Sequence, residues 1–141
     1  MKTFLPKDPG DNRKWFLIDA DGQPLGRLAV KVASLIRGKG KVYFTPAVDV
    51  GDFVVVVNAA KVHLSGRKAE QKIYKNYSGW RDGLKETSAS RMLERHPDRM
   101  VLQAVKRMLP RNTLSRKVFA RLKVYAGAEH PHAAQKPEKV G

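Results

Sequence analysis

The chain contains no cysteine, which excludes a disulfide framework, a thiolate metal site and a thiol nucleophile. A reducing compartment suits such a chain. Aromatic residues are sparse, at 8%, and acidic ones are outnumbered: 13 Asp and Glu stand against 28 Lys and Arg, leaving +15 on 141 residues. Long hydrophobic runs are missing too. The longest, Phe53 to Val57, is strand-sized, well short of the roughly 20 residues that span a bilayer. The opening MKTFLPKDPGDNRKW lacks the apolar stretch of a signal peptide. Hydrophobic residues still make up 42% of the chain, which argues against wholesale disorder, since disordered chains pair high charge with low hydrophobicity. The expectation is one soluble, intracellular domain with a polyanionic partner, divided into an N-terminal arm (1–13), an α/β core (14–127) and an extended tail (128–141).

The positive charge is uneven. Residues 101–141 hold 9 basic and 2 acidic side chains. Between 101 and 123 stand Lys106, Arg107, Arg111, Arg116, Lys117, Arg121 and Lys123 with no acid among them. Such a block repels itself unless an external polyanion neutralises it. A membrane surface is a poorer fit than nucleic acid, because Phe119 is the one aromatic anchor available there.

Trp15 to Ile18 reads as a strand, and Asp19-Ala20-Asp21-Gly22 as the turn after it. Leu25, Leu28, Ala29, Val32 and Ile36 repeat at helical spacing, with a stop at Gly38 and a basic loop beyond. Phe53–Val57 is continuous and β-branched, as in a strand buried on both faces of a parallel sheet. Val62–Ser65 suggests a further strand, and 67–85 a protruding loop or short hairpin. Helices are expected over 88–95, from Pro97 to Pro110, and over 114–122, where Lys117 and Arg121 would share a face away from the apolar stripe. A last strand is expected at 124–127, and the alternation of strands and helices implies an α/β fold with a mostly parallel sheet.

Catalytic chemistry finds little support. Gly22-Gln23-Pro24-Leu25-Gly26 lacks the GxGxxG spacing, and Arg27-Leu28 stands where a P-loop needs Lys-Ser/Thr. Asp19/Asp21 and Asp49/Asp52 would bind magnesium in a nuclease, but all four flank strands, where Asp commonly bonds local backbone. His130 and His132 lack further clustered ligands for a metal, while histidine also serves beside RNA. The stronger pattern interleaves Arg67, Lys68, Lys72, Lys75 and Arg81 with Tyr74, Tyr77 and Trp80. Cations neutralise phosphates and rings stack on unpaired bases, although each ring is equally explained as core.

Five colinear motifs carry a resemblance. They are Leu25-Gly26-Arg27-Leu28-Ala29, Arg37-Gly38-Lys39, Gly51 through Ala59, Ala104-Val105-Lys106 with Met108-Leu109-Pro110, and Leu122 through Gly127 with His130-Pro131-His132. Over about residues 1 to 138 the chain resembles the bacterial large-subunit ribosomal protein L-thirteen family of the universal type. The resemblance implies a three-layer α/β/α domain with a four-stranded mostly parallel sheet, basic loops and an extended C-terminal tail. It implies a structural role on 23S-type rRNA and in early subunit assembly, beside neighbouring ribosomal proteins, with mRNA binding and translational repression as a secondary role. No catalytic residue, cofactor, metal, membrane or small-molecule substrate goes with it. Carried over by position, the RNA-facing residues are Arg37, Lys39 and Lys41 in one loop, and Arg67, Lys68, Lys72, Tyr74 and Tyr77 in the next. Lys106, Arg111, Arg116, Lys117, Arg121 and Lys123 follow, then His130 and His132 in the tail. The chain departs from the family at Asp82, Arg107 and Ser115, where glycine is common.

Overall fold

In a computed structural model of the protein, which describes residues 4–7 and 12–140, most of the expected N-terminal arm lies outside the described residues. Strand β1 (Trp15–Asp19) pairs in parallel with β2 (Phe53–Val57), Trp15 opposite Phe53 and Asp19 opposite Val57. Helix α1 (Leu25–Arg37) connects them. It buries Leu25, Leu28, Ala29, Val32, Ala33 and Ile36, the stripe its spacing predicts. Gly38, at φ 71°, ends it. The Gly38 N–H donates to the Leu35 carbonyl and the Lys39 N–H to that of Ser34, both at 3.0 Å, as in a Schellman stop.

A short helix α2 (Lys68–Gln71) precedes the antiparallel hairpin β3 (Ile73–Tyr77) and β4 (Leu84–Ser88). Asp82, one of the positions where the related family commonly has glycine, sits in its connection at φ 58°, a conformation Asp tolerates better than most residues. Helix α3 (Ala89–Arg95) starts on the Ser88 hydroxyl, which accepts from the Arg91 N–H, and α4 (Pro97–Met108) starts on its proline. Helix α5 (Thr113–Phe119) is capped by Asn112, whose side chain accepts from the Ser115 N–H at 2.8 Å. Strand β5 (Leu122–Val124) then joins β2 in parallel, and β6 (Glu138–Lys139) joins β1.

The expected α/β class is therefore what the protein has: a four-stranded parallel sheet in the order β5-β2-β1-β6, with helices around it. Successive strand residues point to opposite faces. Ile18, Val54, Val56 and Leu122 share one core with α1 and with Met100, Val101 and Val105 of α4. On the alternate positions Trp15 stacks on Phe53 at 4.3 Å and lies 5.1 Å from His132, so the returning tail, with a 3-10 turn at Ala133–Gln135, shields that face.

Four expectations change, one of them being the last strand, expected at 124–127 and found at Leu122–Val124. Residues 62–65 are not a strand. Asn58 takes a left-handed conformation (φ 57°) and a 3-10 turn follows at Ala59–Lys61, so the chain passes beyond the sheet and His63 makes a single bridge to Pro24. The fourth strand comes from the tail instead, which is not a free arm: the Val140 N–H donates to the Leu17 carbonyl at 2.9 Å. Helix α5 stops at Phe119 rather than 122, because Leu122 is drawn into the sheet opposite Val54.

Candidate nucleic-acid interface

Between the hairpin and helices α3, α4 and α5 lies an open groove of about 1820 Å³. Its floor is Tyr74, Met92, Leu102, Leu109 and Phe119. Tyr74 is buried there, so its ring is packing, whereas Lys72 lies over it with Nζ 5.1 Å from the centroid. Cations make the walls: Lys75 and Lys85 on the hairpin, Arg91 and Arg95 on α3, Arg99, Lys106 and Arg107 on α4. Arg111 in the connection and Arg116 on α5 close the far side. Glu86 is the single acid on the lining, and its carboxylate is 2.8 Å from the Lys75 ammonium. The remaining cations have no acid on the lining to pair with, an arrangement that a polyanion entering the groove relieves.

Four of the residues singled out from sequence meet in this groove: Tyr74, Lys106, Arg111 and Arg116. Lys75 and Arg107, marked in the sequence by their charge pattern but not assigned to RNA by position, line it too, and Lys85, Arg91, Arg95 and Arg99 join them. A usable signal exists for α3, since Arg91 and Arg95 stand four apart within the helix expected over 88–95. Arg67, Lys68 and Tyr77 are exposed on the hairpin arm and its base, with Lys68 Nζ 3.1 Å from the Ser65 hydroxyl. Lys117 is exposed on α5 and Lys123 half-buried on β5, both off the groove. Lys39 is exposed, while the Arg37 guanidinium sits 5.7 Å from the Phe44 ring centre.

Lys41 and Arg121 are turned inward. Lys41 donates to Asp52 at 2.7 Å and to the Val50 carbonyl at 2.8 Å. Arg121 is buried, pairs with Asp49 and donates to the Gly51 carbonyl at 3.2 Å. Arg13 reaches the same Asp49 at 3.2 Å. The exposed face expected for Lys117 and Arg121 together does not form, because α5 ends between them and Arg121 leads into β5. The acidic pairs are accounted for likewise. Asp49 and Asp52 bind these cations; Asp49 also accepts from the nearby Gly51 N–H, and Asp52 from the distant Lys14 N–H rather than from local backbone. Asp19 accepts from the Asn58 side chain at 2.8 Å and from the Asp21 N–H at 3.0 Å, bonds that hold its carboxyl below the usual carboxylate pKa. Among the described residues no group of three or more His, Asp or Glu side chains is placed to hold a metal ion.

His130 and His132 lie on the sheet face covered by the tail. The His132 Nε2 is 2.8 Å from the Tyr125 hydroxyl, and the His132 backbone N–H donates to His130 Nδ1 at 3.2 Å. Burial, and then repulsion from His130 and Lys123, lower its pKa from the ordinary histidine value.

Fold and groove together define a small α/β protein that presents a preformed cationic concavity, and among the described residues no helix is long and apolar enough to cross a membrane. Residues 13–131 match the family described as ribosomal protein L13, and the chain belongs to that family. The family is one of structural ribosomal components and not of enzymes. The chain is 58% identical over 136 residues to the large ribosomal subunit protein uL13 of Brevibacillus brevis, covering 96% of this chain and 94% of that one. It is 55% identical to the protein of the same name in Thermus thermophilus, over 99% of both chains. The Synechocystis protein of that name is 53% identical over 99% of this chain and 92% of its own.

Proposed function

We propose that this chain is a structural constituent of the large ribosomal subunit in the cytoplasm, holding folded 23S-type rRNA and supporting early subunit assembly. The observation that carries the reading is the groove, where nine cations face one internally paired acid. Arg91, Arg95, Arg99, Lys106, Arg107, Arg111 and Arg116 act as the phosphate contacts. Arg37, Lys39, Arg67, Lys68, Lys117 and Lys123 extend the field around them, and neighbouring ribosomal proteins meet the remaining surface. Contacts of this kind position RNA and read its shape, with little discrimination among bases. Binding to an mRNA would draw on the same charge and has no observation of its own in its favour.

Two measurements test this. Affinity for an in vitro large-subunit rRNA transcript should fall linearly on a log–log salt plot, with a slope near −0.9 for each duplex phosphate neutralised. In fractionated lysate the protein should travel stoichiometrically with the large subunit. A protein confined to light fractions would overturn the assignment and favour a free regulator.

A further inference from the structure

The β3–β4 hairpin has two unlike sides. Tyr74, Asn76, Lys85 and Thr87 lie toward the groove, and Ile73, Tyr77 and Leu84 stand on the opposite face, exposed to solvent, together with the Lys75–Glu86 pair, which reaches the groove rim from that face. In the connection 78–83 the Trp80 side chain is 79% exposed, and Tyr77 at its root is 64% exposed. Among the described residues no ring stacks on this indole and no cation lies over it. Yet the backbone that bears it is held in place. The Ser78 N–H donates to the Gly83 carbonyl at 3.2 Å and the Gly83 N–H to that of Trp80 at 3.0 Å. Gly79 and Asp82 take left-handed conformations (φ 87° and 58°). At Gly83 an added Cβ would stand 2.1 Å from the Ser78 hydroxyl oxygen, so the turn is tightly closed. A ring presented on a fixed turn loses little freedom when something covers it.

The surrounding charge says what covers it. From 67 to 86 the arm carries Arg67, Lys68, Lys72, Lys75, Arg81 and Lys85 against Glu70, Asp82 and Glu86, the last of these paired with Lys75. Cations around an exposed aromatic plane are the combination that grips unpaired nucleotides, phosphate by charge and base by stacking. A base inside a helix already has both faces stacked, so the ligand has to be a bulged, looped or single-stranded one. We infer that Trp80, with Tyr77 beside it, stacks on an unpaired base of the RNA whose phosphates occupy the groove. This deepens the rRNA reading above and rests on it.

The test uses the full chain with a large-subunit rRNA transcript and, separately, a fully paired RNA duplex. Tryptophan emission should be quenched by the transcript. The difference between wild type and Trp80→Phe isolates Trp80, because Trp15, stacked on Phe53, is common to both. Trp80→Ala should weaken transcript binding by about 5- to 150-fold, the range found for losing one aromatic–base stack. Trp80→Phe should retain most of the affinity, and the duplex should bind wild type and Trp80→Ala alike. Unchanged melting temperatures show that the exposed substitutions leave the fold intact. If Trp80→Ala binds the transcript as wild type does, without quenching, while Arg95→Ala binds it more weakly, the stacking is overturned and the rRNA reading stands. If Arg95→Ala is also without effect, both fall. If Trp80→Ala impairs only the binding of a purified ribosomal protein, the tip is a protein contact and the inference is wrong.

Discussion

Replacing Arg121 by methionine keeps most of the stem's volume and removes the guanidinium that joins Asp49 to the Gly51 carbonyl. Deleting one partner of a buried ion pair costs about 3–5 kcal/mol when the other charge is stranded. Here the cost should be smaller. Arg13 stays 3.2 Å from Asp49 and donates to the Gly51 carbonyl at 3.4 Å, and the Asp49 side chain is 17% exposed. The Arg121 Nε is itself buried without a hydrogen-bond partner, a penalty that the substitution removes. A loss of about 2–3 kcal/mol remains. At roughly 4 °C per kcal/mol for a chain of this size, that lowers the melting temperature by about 8–12 °C. Circular dichroism melts measure this directly, and rRNA binding at a series of salt concentrations below the transition gives the second readout. Arg121→Met should keep the wild-type salt slope, because its charge never faces the RNA. A variant that melts with the wild type and whose slope is shallower by about 0.9 would refute the reasoning and return Arg121 to the phosphate contacts.

Gly51→Ala should be worse. An added Cβ would come within 1.5 Å of the Ile36 carbonyl oxygen and 2.5 Å of its carbon, both backbone, so the end of α1 must part from the start of β2. We expect a loss of about 3 kcal/mol or more, and a melting temperature within about 2 °C of wild type would contradict that close approach. Arg95→Ala and Arg107→Ala, both on the exposed groove wall, should each make the salt slope shallower by about 0.9 and together by about twice that. Their stability should stay within about 0.5 kcal/mol of wild type, and unchanged slopes would remove the groove from the interface. His132 is neutral more readily in the fold than in the unfolded chain, where its pKa is near the ordinary 6.5. The unfolded state therefore takes up the proton first, and stability present above pH 6.5 is lost as the pH falls through the lowered folded value. Melts from pH 7.5 down to 5 should show wild type losing more stability than His132→Gln; parallel curves would show that His132 is not held neutral.

Much of the fold is legible in local pattern because local physics sets it. The α1 stripe, the stop at Gly38 and the β-branched run of β2 each state their own burial. The strand lost at 62–65 and the strand gained in the tail depend on pairing instead. Val62–Ser65 has strand-like composition, but the left-handed Asn58 directs it past the sheet edge. Glu138–Lys139 carries no strand signal, yet β1 offers an open edge and the tail is long enough to return to it. A sheet position is filled by whichever segment can reach it, and a two-residue strand is too short to announce itself.

The groove was obscured for a related reason. Counting charge along the chain draws attention to 101–123, which has no acids, and away from 91–99, where Glu94 and Asp98 offset the arginines. Charge summed over a stretch is not charge on a surface. Arg91 and Arg95, four apart on α3, share a helix face, and Arg99 in the first turn of α4 joins them on the groove, while Glu94 and Asp98 do not line it. In the acid-free block the reverse happens. Arg121 is taken up by Asp49, and Lys117 and Lys123 lie off the groove. A polyanion meets only charges that share a face and lack an internal partner. On that criterion the mixed segment 91–99 supplies three cations to the groove, against four of the seven in the conspicuously basic block that follows it.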